Sequence, residues 1–158
     1  MSSRHAPHDG LPMRLLIATD TWHPQVNGVV RSIEHMVRHA EQFGAAIALI
    51  EPGQFRSLPL PTYPEIRLGL ARPSAIASRI SEFKPTHIHI TTEGPIGFAS
   101  RWVCLRHRFP FSTSYHTRFP EYVSARVPVP ERCVYWILRR FHNAAGAVLV
   151  ATESLRHE

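Results

Sequence analysis

The apolar positions of this chain change period several times between residues 13 and 150. Leu15 to Ala18 is a short apolar run of the kind a buried parallel strand makes. A polar turn follows, with Pro24 and then Asn27-Gly28. After Gly28 the spacing becomes helical, with Val29, Ile33, Met36, Val37 and Ala40 in phase. That helix ends near Phe43-Gly44, where glycine suits the position after a helix. Ala45 to Ile50 reads as a second buried strand. Residues 51–65 read as a loop, because Pro52, Gly53, Pro59, Pro61 and Pro64 interrupt any regular element. Ile66 to Leu68 reads as a short strand.

The second half repeats the alternation. Pro73 opens a helix to about Phe83, with Ile76, Ile80 and Phe83 on one face. His87 to Thr91 is a strand by its β-branched content. Glu93-Gly94-Pro95 is a tight turn, and Pro95 suits the first turn of a helix through Phe98, Trp102 and Leu105 to about His107. Phe111 to Tyr115 is a strand, and His116 to Pro128 an irregular polar and aromatic loop. A helix from Pro130 carries Val134, Ile137, Leu138 and Phe141 on one face. Ala147 to Val150 is a last strand, and residues 151–154 look like the entry to another helix.

Strands alternating with helices predict βαβ units: a single Rossmann-like α/β domain, with a parallel sheet covered by helices on both faces. Ligands of such sheets sit at the carboxyl ends of the strands. Three polar clusters fall on that edge: Asp20, Thr21, His23, Asn27 and Gly28; then Thr92, Glu93 and Gly94; then His116, Thr117 and Arg118. The first turn of a helix offers unpaired N–H groups and a positive dipole end, so Gly28 suits a phosphate. It reads equally as a plain turn. Glu93 reads as an acceptor for sugar hydroxyls or as a charge favouring the helix after Pro95. His116 reads as a structural cap or as a contact to a reacting sugar or phosphate.

Composition narrows the choice. With 158 residues and a hydrophobic fraction of 44%, the chain suits one domain with a real core. No apolar run approaches the roughly 20 residues that span a bilayer. Residues 1–12 lack an apolar core for a signal peptide and read as a flexible leader. Cys104 and Cys133 suggest no disulfide framework and fit a reducing cytoplasm. The net charge of +6 favours anionic partners. Nucleic acid is the poorer candidate, because basic runs with interleaved aromatics are missing. Arg101, Arg106 and Arg108, with Trp102, read either as a contact to an anionic membrane surface or as solvated arginines. The loop after the first strand lacks G-x-G-x-x-G, and no G-x-S-x-G elbow is present. His87 and His89 share a strand face and read as packed histidines or as a metal pair.

Four segments carry a resemblance: Thr19-Asp20-Thr21-Trp22-His23-Pro24 with Asn27-Gly28-Val29, then His89 to Gly97, then Ser114 to Phe119, then Arg139 to Asn143. Together they resemble the N-terminal domain of family 4 glycosyltransferases, retaining enzymes of GT-B architecture, nearest the lipid mannosyltransferase and sulfoquinovosyltransferase-like branch. The resemblance runs from about Met13 to residue 158. It implies one half of a GT-B enzyme that moves a sugar from a nucleotide-sugar to a lipid or glycan hydroxyl. Gly28, with Asn27, would lie against the donor diphosphate. His116 would stand near the reacting centre as the catalytic residue. Asp20, Thr92, Glu93 and Arg118 would line the acceptor side. No metal and no cofactor beyond the donor substrate would be needed. The family's second domain, with its Glu-x7-Glu motif, is not in the sequence, so the chain reads as the acceptor-side half of a split or fragmentary enzyme, inactive alone and working with a separately encoded donor-binding domain. The competing reading is a non-catalytic remnant that holds an acceptor or an anionic membrane surface. Either would sit in the cytoplasm, peripheral to the membrane.

Overall fold

The computed structural model describes residues 12–60, 63–116, 130–150 and 152. Seven strands are present: β1 (Met13–Ala18), β2 (Ala45–Ile50), β3 (Ser57–Leu60), β4 (Tyr63–Gly69), β5 (His87–Ile90), β6 (Phe111–Tyr115) and β7 (Ala147–Val150). Among the described residues, four α-helices alternate with them: α1 (Gly28–His39), α2 (Pro73–Phe83), α3 (Pro95–His107) and α4 (Glu131–His142). The main sheet has the order β2-β1-β5-β6-β7, and every pair in it is parallel. This is a Rossmann-like α/β domain.

Connection geometry decides which face each helix covers. Right-handed crossovers place a helix on one face when the chain moves one way across the sheet and on the other face when it moves back. The step from β1 to β2 through α1 runs opposite to the steps from β5 to β6 and β6 to β7. Accordingly Leu16, Ala18, Ile88, Ile90 and Phe111 pack with Ile76 and Ile80 of α2, Ile96 and Val103 of α3, and Phe141 of α4. Tyr115 continues that face against Val134 and Leu138 of α4. The alternate strand positions face α1. Each of the fully buried isoleucines stabilises the fold by about 1.5–3 kcal/mol.

Several elements differ from the sequence reading. Residues 51–65 are not one loop: a short 3-10 turn at Pro52–Gln54 leads into the antiparallel hairpin of β3 and β4. Pro59 and Pro64 are tolerated because each strand of a two-stranded hairpin has a free edge that needs no N–H donor. Phe98, Trp102 and Leu105 are exposed on α3, whereas Ile96, Ser100, Val103 and Cys104 are buried. On α1 the buried positions are Val30 and Ile33, with Met36 and Val37 turned outward. On α4 Ile137 is exposed, and His142 completes the buried stripe with Val134, Leu138 and Phe141. No helix among the described residues is long and apolar enough to cross a membrane.

Candidate functional site at the carboxyl edge of the sheet

The loop after β1 is knitted by its own side chains. The Thr19 hydroxyl accepts from the Thr21 N–H at 3.2 Å, and the Asn27 amide donates to the Thr21 hydroxyl at 2.8 Å. The other end of the Asn27 side chain caps α1 by accepting from the Val30 N–H at 3.0 Å. Ser, Thr, Asp and Asn are favoured here because their oxygen takes one of the helix's orphan donors. Both ends of Asn27 are thus engaged in shaping the turn that presents Gly28. Gly28 itself is exposed, and no atom lies within 4 Å of where a Cβ would stand. The start of α1 is therefore open to a ligand.

Asp20 is buried and turned inward. Its Oδ1 accepts from the Ile96 N–H at 2.6 Å. Its Oδ2 accepts from the Gly94 and Gly97 N–H groups at 2.9 and 3.1 Å and from the Thr92 hydroxyl at 2.8 Å. The Asp20 N–H in turn donates to that hydroxyl at 2.6 Å. A carboxylate from the first loop thus caps a helix some 76 residues away in sequence. Burial raises the Asp20 pKa above its usual value, while the hydrogen bonds from Ile96, Thr92, Gly97 and Gly94 pull it back down. Gly94 and Gly97 are required by closeness: a Cβ on Gly94 would meet Asp20 Cγ at 2.4 Å, and one on Gly97 would meet the Thr92 carbonyl oxygen at 1.9 Å.

On the α1 face of the sheet, β5 and β6 present a ladder of imidazoles and hydroxyls. His87 Nε2 lies 2.9 Å from Ser112 Oγ, His89 Nδ1 lies 2.7 Å from the same oxygen, and His89 Nε2 lies 2.7 Å from Ser114 Oγ. His87 and His89 do share a face, as their alternation predicts, and His87 Nε2 and both ring nitrogens of His89 are paired with these hydroxyls. Among the described residues no three potential metal ligands converge. Burial, aided by neighbouring His87 and His116, holds the His89 pKa down at about 4. The ladder floors a groove of about 550 Å3, walled by Leu15, Val29, Ile33, Met36 and Leu149.

His116 ends this row and lines the groove. Its Nε2 is buried and has no hydrogen-bond partner among the described residues. Burial lowers its pKa, and the Glu93 carboxylate draws it partly back up. Glu93 also lies 3.1 Å, through Oε1, from His142 Nε2. His142 Nδ1 is 2.9 Å from the Thr113 hydroxyl on the opposite face of β6. The predicted site residues Gly28, Asn27, Asp20, Thr92, Glu93 and His116 therefore gather on one edge. Arg118 lies outside the described residues. Arg101, read with Arg106 and Arg108 as a surface cation, donates through Nε and Nη2 to the carbonyls of Phe141 and Arg140 at 3.1 and 2.8 Å. It ties α3 to α4.

His142 and Thr113 are the residues that sequence reasoning missed. The available signal is the buried stripe of α4: positions 134, 138, 141 and 142 share one face, so a histidine there points into the domain.

The chain is 27% identical over 150 residues to the sulfoquinovosyl transferase of Arabidopsis thaliana, covering 82% of the chain and 28% of that protein. It is 23% identical over 160 residues to the alpha-monoglucosyldiacylglycerol synthase of Streptococcus pneumoniae, covering 91% of the chain and 36% of that protein. It is 24% identical over 123 residues to a GDP-mannose-dependent alpha-mannosyltransferase of Corynebacterium glutamicum, covering 67% of the chain and 30% of that protein. The chain thus spans about a third of the length of these relatives. Residues 26–158 match the model of Glycosyltransferase Family 4, and the chain belongs to that family.

Proposed function

We propose that this chain is the acceptor-side domain of a glycosyltransferase that moves a sugar, with retention, from a nucleotide-sugar to a hydroxyl of a lipid or glycan. The observation that carries the reading is His116: an imidazole at the carboxyl edge of the sheet whose buried Nε2 has no partner among the described residues, lining a groove shared with Val29 of the first turn of α1. A polar atom left unpaired in a folded protein costs stability unless a ligand satisfies it. In this reading Gly28 lets the donor diphosphate approach the first turn of α1, where N–H groups and the helix dipole favour the departing negative charge. Asn27 shapes that turn. His116 contacts the transferred sugar or the attacking hydroxyl. Asp20 and Thr92 hold the β5–α3 turn in place, so that Glu93, with Arg118, faces the acceptor. The catalysis asked of these residues is orientation and charge stabilisation. A donor-binding domain, in the same or another chain, closes the cleft.

The pneumococcal relative named for a diacylglycerol product favours a lipid acceptor over a soluble glycan. A lipid acceptor implies a membrane surface, and α3 and α4 expose Trp102 and Trp136 at 54% and 64%, beside Arg106, Arg139 and Arg140. Tryptophan and arginine at a surface suit the headgroup region of anionic lipid. In this reading the protein works on the cytoplasmic side, peripheral to the membrane.

The test combines the chain with a donor-binding domain taken from the pneumococcal relative and supplies labelled nucleotide-sugar with diacylglycerol in vesicles. His116→Ala is expected to lower transfer about a hundredfold or more. Unchanged transfer in that variant refutes the site. Co-sedimentation that does not depend on anionic lipid refutes the membrane face.

A further inference from the structure

Glu93 stands where the two faces of the sheet meet. On the α4 side, its Oε1 is paired with His142 at 3.1 Å. On the α1 side lies His116, whose protonated form the Glu93 charge favours. The turn before α3 does not need Glu93 for its helix end, because Asp20 already accepts from Gly94, Ile96 and Gly97. Among the described residues, the hydrogen bond that holds the Glu93 side chain comes from His142.

His142 is built to make that bond. A carboxylate only accepts, so the His142 Nε2 carries the proton that points at Glu93. The neutral ring then has Nδ1 as its acceptor, and the Thr113 hydroxyl donates to it across 2.9 Å. The ring is set edge-on against Tyr115 at 5.6 Å and Phe141 at 5.1 Å. It is 8% exposed, so it has little freedom to turn.

We infer that His142, with its tautomer fixed by Thr113, is a positioning residue that holds the Glu93 carboxylate at the sheet edge beside His116, aimed at the hydroxyls of a bound sugar or polyol. The hold of His142 on Glu93 rests on the two hydrogen-bond distances; the sugar or polyol rests on the acceptor-side reading above. A carboxylate that is already anchored loses no side-chain freedom when it accepts from a ligand hydroxyl. Among the described residues, the ionisable groups facing His116 are Glu93 from the β5–α3 turn and His89 from β5. Those beside His142 are Glu93 and, through the α4 carbonyls, Arg101 of α3.

The test is NMR titration of the His116 and His142 imidazoles in the full chain without ligand. Glu93→Gln is expected to lower the His116 pKa, because it removes the carboxylate that favours the protonated ring. His142→Phe releases the carboxylate to water and lowers His116 in the same direction. Adding Glu93→Gln to His142→Phe then moves His116 no further. His142→Gln, which restores an N–H donor, returns His116 toward its wild-type value. An unchanged His116 in folded His142→Phe overturns the inference, as does an equal effect of Glu93→Gln in both backgrounds. If His142→Phe does not fold, Thr113→Val frees the ring while keeping its shape. It is expected to lower His116 by part of the Glu93→Gln effect, and no shift there overturns the inference. These readouts need no sugar transfer. Intact coupling with failed transfer counts against the transferase reading and not against the positioning role.

Discussion

Replacing Asp20 by alanine removes the acceptor of three backbone N–H groups and one hydroxyl. Two of the bonds, to Ile96 and Gly97, are fully buried, and those to Gly94 and Thr92 are partly buried. Losing a helix cap costs about 1–2 kcal/mol. Each buried donor left without a partner costs about 1–3 kcal/mol more, and water reaching the partly buried pair recovers some of it. The expected destabilisation of Asp20→Ala is therefore about 3–5 kcal/mol. At about 2–4 °C per kcal/mol for a chain of this size, the Tm falls by roughly 10 °C. Asp20→Asn keeps one oxygen and avoids burying a charge, so it should cost about 1–2 kcal/mol. Urea unfolding followed by far-UV circular dichroism measures both, and amide exchange at Ile96 and Gly97 localises the effect to the start of α3. A loss below about 1 kcal/mol for Asp20→Ala, or equal losses for the two variants, would show that the carboxylate does not hold the turn.

Three other outcomes are expected. His89 has its folded pKa depressed from 6.5 to about 4, so its contribution is present above pH 6.5 and is lost as pH falls toward 4. Wild type should lose about 2 kcal/mol from this group between pH 7 and pH 5, and His89→Gln should flatten that slope; parallel stability curves refute it. Gly97→Ala places a methyl 1.9 Å from the Thr92 carbonyl oxygen, so it should destabilise by about 3 kcal/mol or more, while Gly28→Ala, with nothing within 4 Å, should change stability by less than about 0.5 kcal/mol; denaturant midpoints compare them. Cys104 is buried with its thiol pKa pushed up to about 12, whereas Cys133 is exposed, so a thiol reagent should titrate one cysteine in the native chain and both in denaturant.

Strand ends are the part of the site that the sequence makes legible. Short β-branched runs such as His87 to Thr91 are bounded by polar turns, and the parallel order forces those turns onto one edge. The hairpin of β3 and β4 is illegible by proline count, because a free edge removes the need for N–H donors there. The inward turn of Asp20 is illegible for another reason. An aspartate after a strand looks the same whether it faces a ligand or a helix start 76 residues away, and only the tertiary approach of α3 decides. The partnership of Glu93 with His142 spans 49 residues and depends on the phase of α4, which the apolar stripe specifies without saying what lies opposite.

The Asp20 cap also bears on how this family's domains can be recombined. Residues 19–28 and 92–97 look like two independent loops, each a convenient cassette for exchange between relatives. They share one carboxylate, one reciprocal hydroxyl bond and two glycines that must leave room for it. A chimera that takes either loop alone inherits an acceptor without donors or donors without an acceptor. The unit that can be transplanted is the pair.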